Sequence, residues 1–406
     1  CLSIVIPLLL VCVLELAIAL LIWTRKRLTP SDWMCMTVGT AVLVLIESVA
    51  LLTMLGFFQP QRPQLPKTKG HTRSPSKASA SDDREERSAA WTATLHDLAG
   101  RSISVGSVLR FYAALGSAAV MPAYEPRRSK TSDVVRQAII PLSRRRKQGS
   151  GGAAYACMCG DDNQAPPECM VTHAWSQLFI DLVAAVVSDA LGYSQYADIT
   201  EKLVAGRHEE IQADLQASGA LHKRYWICAF CINQHAGICG SFPEEPQRCT
   251  QAHAEWDAAR RDTVTGDIFA LCDCREPKFF SDSPDECELN KFDHMMALLH
   301  AEVPGLRQVV VVDQEFKVFS RIWCVAELVE GFFSEIDQQV QLSSCEELRS
   351  DADDLELYIR LATLTVRRAE ASRPQDKDEI LAKIPCIAEF DAQLQTVIFG
   401  RHGLLN

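Results

Sequence analysis

Between Cys169 and Val312 one pattern recurs that narrows the fold more than composition does: a short run without polar alternation, then an apolar stripe at helical spacing. Cys169-Met170-Val171-Thr172 is the first such run. Leu178, Phe179, Leu182, Val183, Val186, Val187, Ala190 and Leu191 then recur as adjacent pairs every fourth residue, a stripe wide enough to lay a helix on a sheet. Tyr225 to Phe230 reads as a second strand covered on both faces, Val309 to Val312 as a third and Leu364-Thr365-Val366 as a fourth. Helical spacing marks 199–221, then Phe292, Met295, Met296 and Leu299, then Ile322 through Phe333, and finally Asp376 to Ile384. Strands alternating with helices predict an α/β fold with a doubly wound, mainly parallel sheet over about 166–400, interrupted by a Cys-rich insertion at about 237–287.

The N-terminal part has another character. Leu2 to Trp23 carries only Glu15 as a charge, and Trp33 to Phe58 only Glu47. Each run exceeds the roughly 20 residues needed to cross a hydrocarbon core, so 1–58 is expected to form a transmembrane hairpin. The two runs read as a hairpin or as the last two spans of something larger, and Glu15 and Glu47 as a carboxylate pair that docks the helices, with an ion path as the alternative. Residues 59–165 are rich in Pro, Ser, Lys and Arg near their start and carry Arg144-Arg145-Arg146-Lys147 and GSGG near their end. They are expected to be largely flexible linker with short helices. Basic residues on either side of the second span are nearly balanced, leaning toward a cytosolic C-terminal region. The sixteen cysteines in irregular pairs do not form a small secreted disulfide framework, and none of Asn163, Asn233, Asn290 and Asn406 sits in a glycosylation sequon. A net charge of −11 gives no basic field for nucleic acid, which leaves the membrane as the expected partner.

In open parallel sheets, ligands bind beyond the carboxyl ends of the strands. Three segments belong there: Thr172 to Trp175, Cys231 to His235, and Asp313 to Arg321. They hold polar and aromatic residues that strand packing alone does not require.

Those same segments resemble a known family. Ser320-Arg321-Ile322-Trp323-Cys324-Val325-Ala326-Glu327-Leu328 resembles the S-x-x-WC-x-x-EL helix start of TIR domains. Trp226 to Gln234 is similar to the WID-x-x-CINQ signature of HET (heterokaryon-incompatibility) domains, and Thr172 to Trp175 with its following helix resembles their first strand and helix. The resemblance covers about 166–334 and implies a TIR-like, flavodoxin-like sheet. Cys228 stands where the HET signature has aspartate, and no Gly-rich phosphate loop is present. Together with the expected spans, which supply the membrane anchor, the resemblance implies a signalling or stress-response domain that self-associates as a homo-oligomer. An NAD glycohydrolase (NAD+ nucleosidase) is the enzymatic alternative, and the regulatory domain of a channel or transporter fragment is the third.

In catalytic relatives the glutamate of the WC-x-x-EL helix is essential, which by position is Glu327. A carboxylate there would stabilise an oxocarbenium-like state at the ribose. Trp175 would stack on a base, while His173, Asn233, Gln234, His235, Arg321 and Trp323 complete the ligand-binding candidates. Most have a plainer use: Glu327 as a helix-start charge, His173 as a satisfied polar residue at a strand end, Arg321 as the partner of Asp313 or Glu327, Trp323 as core, and the Asn233–His235 loop bonded to its own backbone.

No resident cofactor and no metal ligand are assigned, with NAD entering only as a substrate. The spacing Cys228-x2-Cys231-x3-His235-x3-Cys239 suggests a zinc knuckle, but in a strand Cys228 and Cys231 would face opposite sides. Cys272-x-Cys274 with Cys249, Cys287 or His253 is the better zinc candidate, with free thiols as the default.

Overall fold

Val309-Val310-Val311-Val312 carries branched side chains on both faces, which favours extended backbone and suits a strand covered on both sides. It lies inside the sheet, and the rest of the fold is arranged around it. The computed structural model describes residues 88–145, 151–160, 165–280, 283–343, 361–371 and 374–400. The chain divides into two units, Cys1–Asp82 and Asp83–Asn406, and the first lies wholly outside the described residues. The expected spans over 2–23 and 33–58 therefore also lie outside them. Among the described residues no helix is long and apolar enough to cross a membrane.

In chain order the second unit contains α1 (Ala89–Gly100), β1 (Ile103–Ser104), α2 (Val105–Ala114), β2 (Cys169–Thr172), α3 (Phe179–Leu191), α4 (Ala197–Val204) and α5 (His208–Ala217). These are followed by β3 (Arg224–Ile227), α6 (Gln251–Ala259), α7 (Phe292–Glu302), β4 (Arg307–Val312), α8 (Ile322–Phe333), β5 (Asp337–Leu342), α9 (Pro374–Lys383) and α10 (Ile387–Phe399). Short helical turns occupy Thr131–Val134, Val135–Ile139, Ile140–Leu142 and Cys228–Cys231.

Among the described residues the sheet has five strands, in the order β1-β3-β2-β4-β5. β1 is antiparallel to β3, and the other neighbours are parallel. The protein is thus an α/β fold built on a mostly parallel sheet. Period-2 alternation sends β4 side chains to two different cores. Val309 and Val311 join the cluster containing α3, while Val310 and Val312 join the cluster containing α8 and α10. The stripe read for α3 is buried almost throughout, and Gly192, at φ 80°, ends the helix by donating its N–H to the Ser188 and Asp189 carbonyls.

Three sequence expectations differ from the structure. The strand expected over 225–230 stops at Ile227, and Cys228–Cys231 turns helical. The backbone acceptors there are taken by side chains. Arg101 Nη1 donates to the Cys231 carbonyl at 2.8 Å, and the Gln234 amide donates to Cys228 and Ala229. The strand expected at Leu364–Val366 is absent. Val366–Arg368 is a 3-10 turn, and the outer parallel strand is β5 instead. β5 reads Asp-Gln-Gln-Val-Gln-Leu and alternates in exposure, as an edge strand does, so no apolar run announced it. Finally, part of the segment expected as largely linker is folded. In α1, Leu95, Leu98 and Ala99 are buried, and the Trp226 indole donates to the Leu98 carbonyl at 3.0 Å. Residues of 131–142 enter the same core. Their apolar positions lack the strand-then-stripe pattern, so only the packing against α3 and the Cys228–Cys231 turn reveals their place.

Candidate functional site

Thr172 closes β2, and everything at the site is held by where that strand ends. After it, the chain turns through His173, Ala174 and Trp175, and the turn is fixed from both sides. The Ala174 amide donates to Gln177 Oε1 at 3.0 Å, Gln177 Nε2 donates to the Val311 carbonyl at 3.0 Å, and the Ser132 amide donates to the Trp175 carbonyl at 3.1 Å. The helical segment 131–142 thus positions the loop.

Helix α8 supplies Glu327. The residue lies in the second turn, past the positions where a helix-start charge is favoured, and is 8% exposed. The Thr172 hydroxyl donates to its Oε2 at 2.7 Å, and Gln308 Nε2 donates in turn to the Thr172 hydroxyl oxygen at 2.8 Å. Gln308 also reaches the Glu327 carbonyl, and Gln338 Nε2 donates to Gln308 Oε1 at 2.8 Å. A Cβ at Gly331 would overlap the Gln308 amide, so glycine on α8 allows this chain of amides its close approach. Among the described residues no cation forms an ion pair with Glu327. Burial lifts its carboxyl to about 7, with the Thr172 hydrogen bond pulling the other way.

Beside this carboxyl lie an imidazole and two thiols. Burial pushes the His173 imidazole down to about 4, leaving it neutral, and its Nδ1 has no hydrogen-bond partner. Its Nε2 is 3.9 Å from Cys228 Sγ. The Cys324 thiol donates to the His173 carbonyl at 3.3 Å, and the Trp175 indole donates to Cys228 Sγ at 3.3 Å. Both thiols are raised, by burial first and then by the Glu327 charge. Trp175 and Cys228 are half-buried and form the outer layer, while His173 and Glu327 lie beneath.

The sheet gives this cluster a particular location. From β2 the chain crosses to β3 on one side, while β4 and β5 extend on the other. The order therefore reverses between β2 and β4, which is where parallel open sheets leave a crevice at their carboxyl ends. A carboxyl ionising near neutrality, a neutral imidazole with a free ring nitrogen and an indole at that point can handle protons or steady a cationic centre.

Of the sequence candidates, the structure brings together His173, Trp175 and Glu327. The others have partners elsewhere. Arg321 Nη1 lies 3.7 Å from Glu370 rather than beside Asp313 or Glu327, and the Trp323 ring rests against Phe292 at 5.8 Å between centroids. Asn233 Oδ1 accepts the His235 amide at 3.1 Å, and the Gln234 amide is spent on the Cys228–Cys231 turn. His235 is fully buried beside Cys239, Cys272 and Cys274. Thr172, Cys228, Cys324 and Gln308 complete the cluster without having been singled out for it. Gln308 carried a legible signal, since a polar side chain in a strand covered on both faces must find a partner.

Comparison with known proteins finds no matching family model, no similar curated protein and no similar solved structure.

Proposed function

We propose that the chain is a membrane-anchored, TIR/HET-like signalling protein whose α/β unit recognises an NAD-type dinucleotide at the Glu327 cluster and cleaves its nicotinamide–ribose bond. The observation that carries this reading is the buried carboxyl of Glu327, lifted to about 7, at the point where the strand order reverses. The parallel strands run β3-β2-β4-β5, an order compatible with a flavodoxin-like sheet. When ionised, Glu327 would face the positive charge that develops on the ribose as nicotinamide departs, in surroundings that leave this charge poorly screened. The Trp175 face would hold a base, and the His173 Nδ1 would gain the partner it lacks.

Self-association is supported by the same helix, whose end presents Phe332 and Phe333 at 38% and 42% exposure. Membrane attachment, with this unit in the cytosol, rests on the two apolar runs in 2–58 and the charge balance around them.

The test is nicotinamide release from NAD by the purified full chain, free and clustered on vesicles or beads, beside Glu327→Ala. Release that depends on Glu327 and rises on clustering is expected. Absence of turnover at high protein concentration, even when clustered, would remove the enzymatic reading. Turnover that survives Glu327→Ala would remove the residue assignment.

A further inference from the structure

Far from having each found a separate partner, four metal-binding side chains of the insertion and its preceding loop converge on one point. His235 follows the turn after β3, and Cys239 comes one turn later. Cys272 and Cys274 arrive from an extended segment more than thirty residues on. One donor atom from each lies within 4.8 Å of all the others. Cys239 Sγ and Cys274 Sγ are 3.4 Å apart, and Cys272 Sγ is 3.8 Å from His235 Nδ1. Zinc held at about 2.3 Å by sulfur and about 2.0 Å by nitrogen requires donor–donor edges of about 3.5 to 3.8 Å in a tetrahedron.

The imidazole is already turned for this purpose. His235 Nε2 lies 3.0 Å from the Ile140 carbonyl, which can only accept, so Nε2 carries the proton and Nδ1 keeps its lone pair toward the thiols. Ser143 Oγ lies 3.2 Å from the same nitrogen. A Cβ at Gly152 would overlap the ring, so this glycine leaves it room. Lys278 Nζ stands 3.3 Å from Cys239 Sγ and 3.8 Å from Cys274 Sγ while donating to the His235 and Glu276 carbonyls. A dication with three thiolates and one neutral imidazole carries one negative charge, which the ammonium offsets. Backbone bonds join the two segments, from the Cys272 amide to the Cys239 carbonyl at 2.8 Å and from the Phe279 amide to the Ala236 carbonyl at 2.9 Å.

The surrounding segment also needs a staple. Helix α6 buries none of its side chains, and 270–280 forms no regular element. An excursion with so little core of its own depends on cross-links or a metal to hold one shape.

We infer that His235, Cys239, Cys272 and Cys274 form a structural site for one zinc ion, which clamps the Cys-rich insertion to the loop that follows β3. Four protein ligands close the coordination sphere, so the ion holds structure and offers no open position to a substrate.

The full chain, purified under reducing conditions without chelator, is assayed for bound metals by elemental analysis, beside Cys239→Ser, Cys272→Ser, Cys249→Ser and Cys228→Ser. One equivalent of zinc is expected in the parent, retained in Cys249→Ser and Cys228→Ser and lost from the other two. Should the ligand variants fail to fold, cobalt exchange into the parent provides the second reading. Visible bands of tetrahedral, thiolate-bound cobalt are then expected, together with proteolysis confined to about 237–287 after the metal is stripped. A parent free of zinc, an iron–sulfur chromophore, a Cys239–Cys274 disulfide in the isolated reduced protein, or zinc lost from Cys228→Ser but kept in Cys239→Ser would overturn the assignment.

Discussion

Replacing Glu327 with glutamine isolates what its carboxyl does to stability. The folded chain holds this group at about 7, against 4.5 as its ordinary value. Because the folded value is raised, the folded state keeps a proton that the unfolded chain releases. The resulting stabilisation is fully present below about pH 4.5 and is lost as pH rises through about 7. The gap of about 2.5 units, at about 1.4 kcal/mol per unit, amounts to about 3 kcal/mol. This is an upper bound, since ionisation draws in water that lowers the cost. Glu327→Gln keeps an oxygen for the Thr172 hydroxyl and does not titrate. Urea unfolding of the full chain, followed by tryptophan fluorescence, is measured for both proteins from about pH 4.5 to about pH 8. The parent is expected to lose up to about 3 kcal/mol relative to the variant across this window. Two curves that stay parallel would refute a buried carboxyl titrating near neutrality.

The same structure sets other expectations. Asp189 is buried, which by itself would raise its pKa, yet Lys223 at 2.8 Å, Tyr225 at 2.6 Å and Arg307 at 3.1 Å hold its carboxyl below the ordinary value. Its contribution is therefore present above about pH 3.8 and lost as pH falls through the depressed value, and Asp189→Asn should cost about 3 kcal/mol at neutral pH in urea melts. Gly331→Ala pushes a methyl into the Gln308 amide and should cost about 1–3 kcal/mol, read as a lowered melting temperature. Leu98→Ala opens a void in the core and should cost about 2–5 kcal/mol. A chain trimmed to begin at residue 166 loses α1, β1 and α2 from the core and should aggregate, while one beginning at Asp83 should melt cooperatively by calorimetry.

The sequence made the interior of the sheet legible because buried parallel strands write themselves as unbroken apolar runs. Cys169–Thr172 and the four valines of β4 were visible for that reason. β5 was not, because an edge strand of glutamines looks like a loop, while α1 and α2 showed only as helical character between linker-like stretches, with nothing to say that they join the core. At the site, His173 and Trp175 could be placed from the order of the segments, since strand ends in such sheets converge, whereas Glu327 was pointed to by the resemblance of its helix start. Arg321 and Trp323 could not be placed, because neighbours on a helix point to different partners. The cysteines show the limit most clearly. Cys228 and Cys231 match a knuckle in spacing, but Arg101 and Gln234 wind their backbone into a helical turn. His235 and Cys239 of that spacing meet Cys272 and Cys274 of the other candidate, and no spacing rule joins two half-sites brought together by an irregular loop.

The pH profile of kcat/KM for nicotinamide release from NAD tests the central claim most directly, because it reports the ionisation of the free protein's essential groups. The rate is expected to rise with pH through a single ionisation near 7, as Glu327 becomes a carboxylate, and to fall to background at every pH in Glu327→Gln. A profile flat across this range, or one that Glu327→Gln leaves in place, would contradict a catalytic role for this carboxyl.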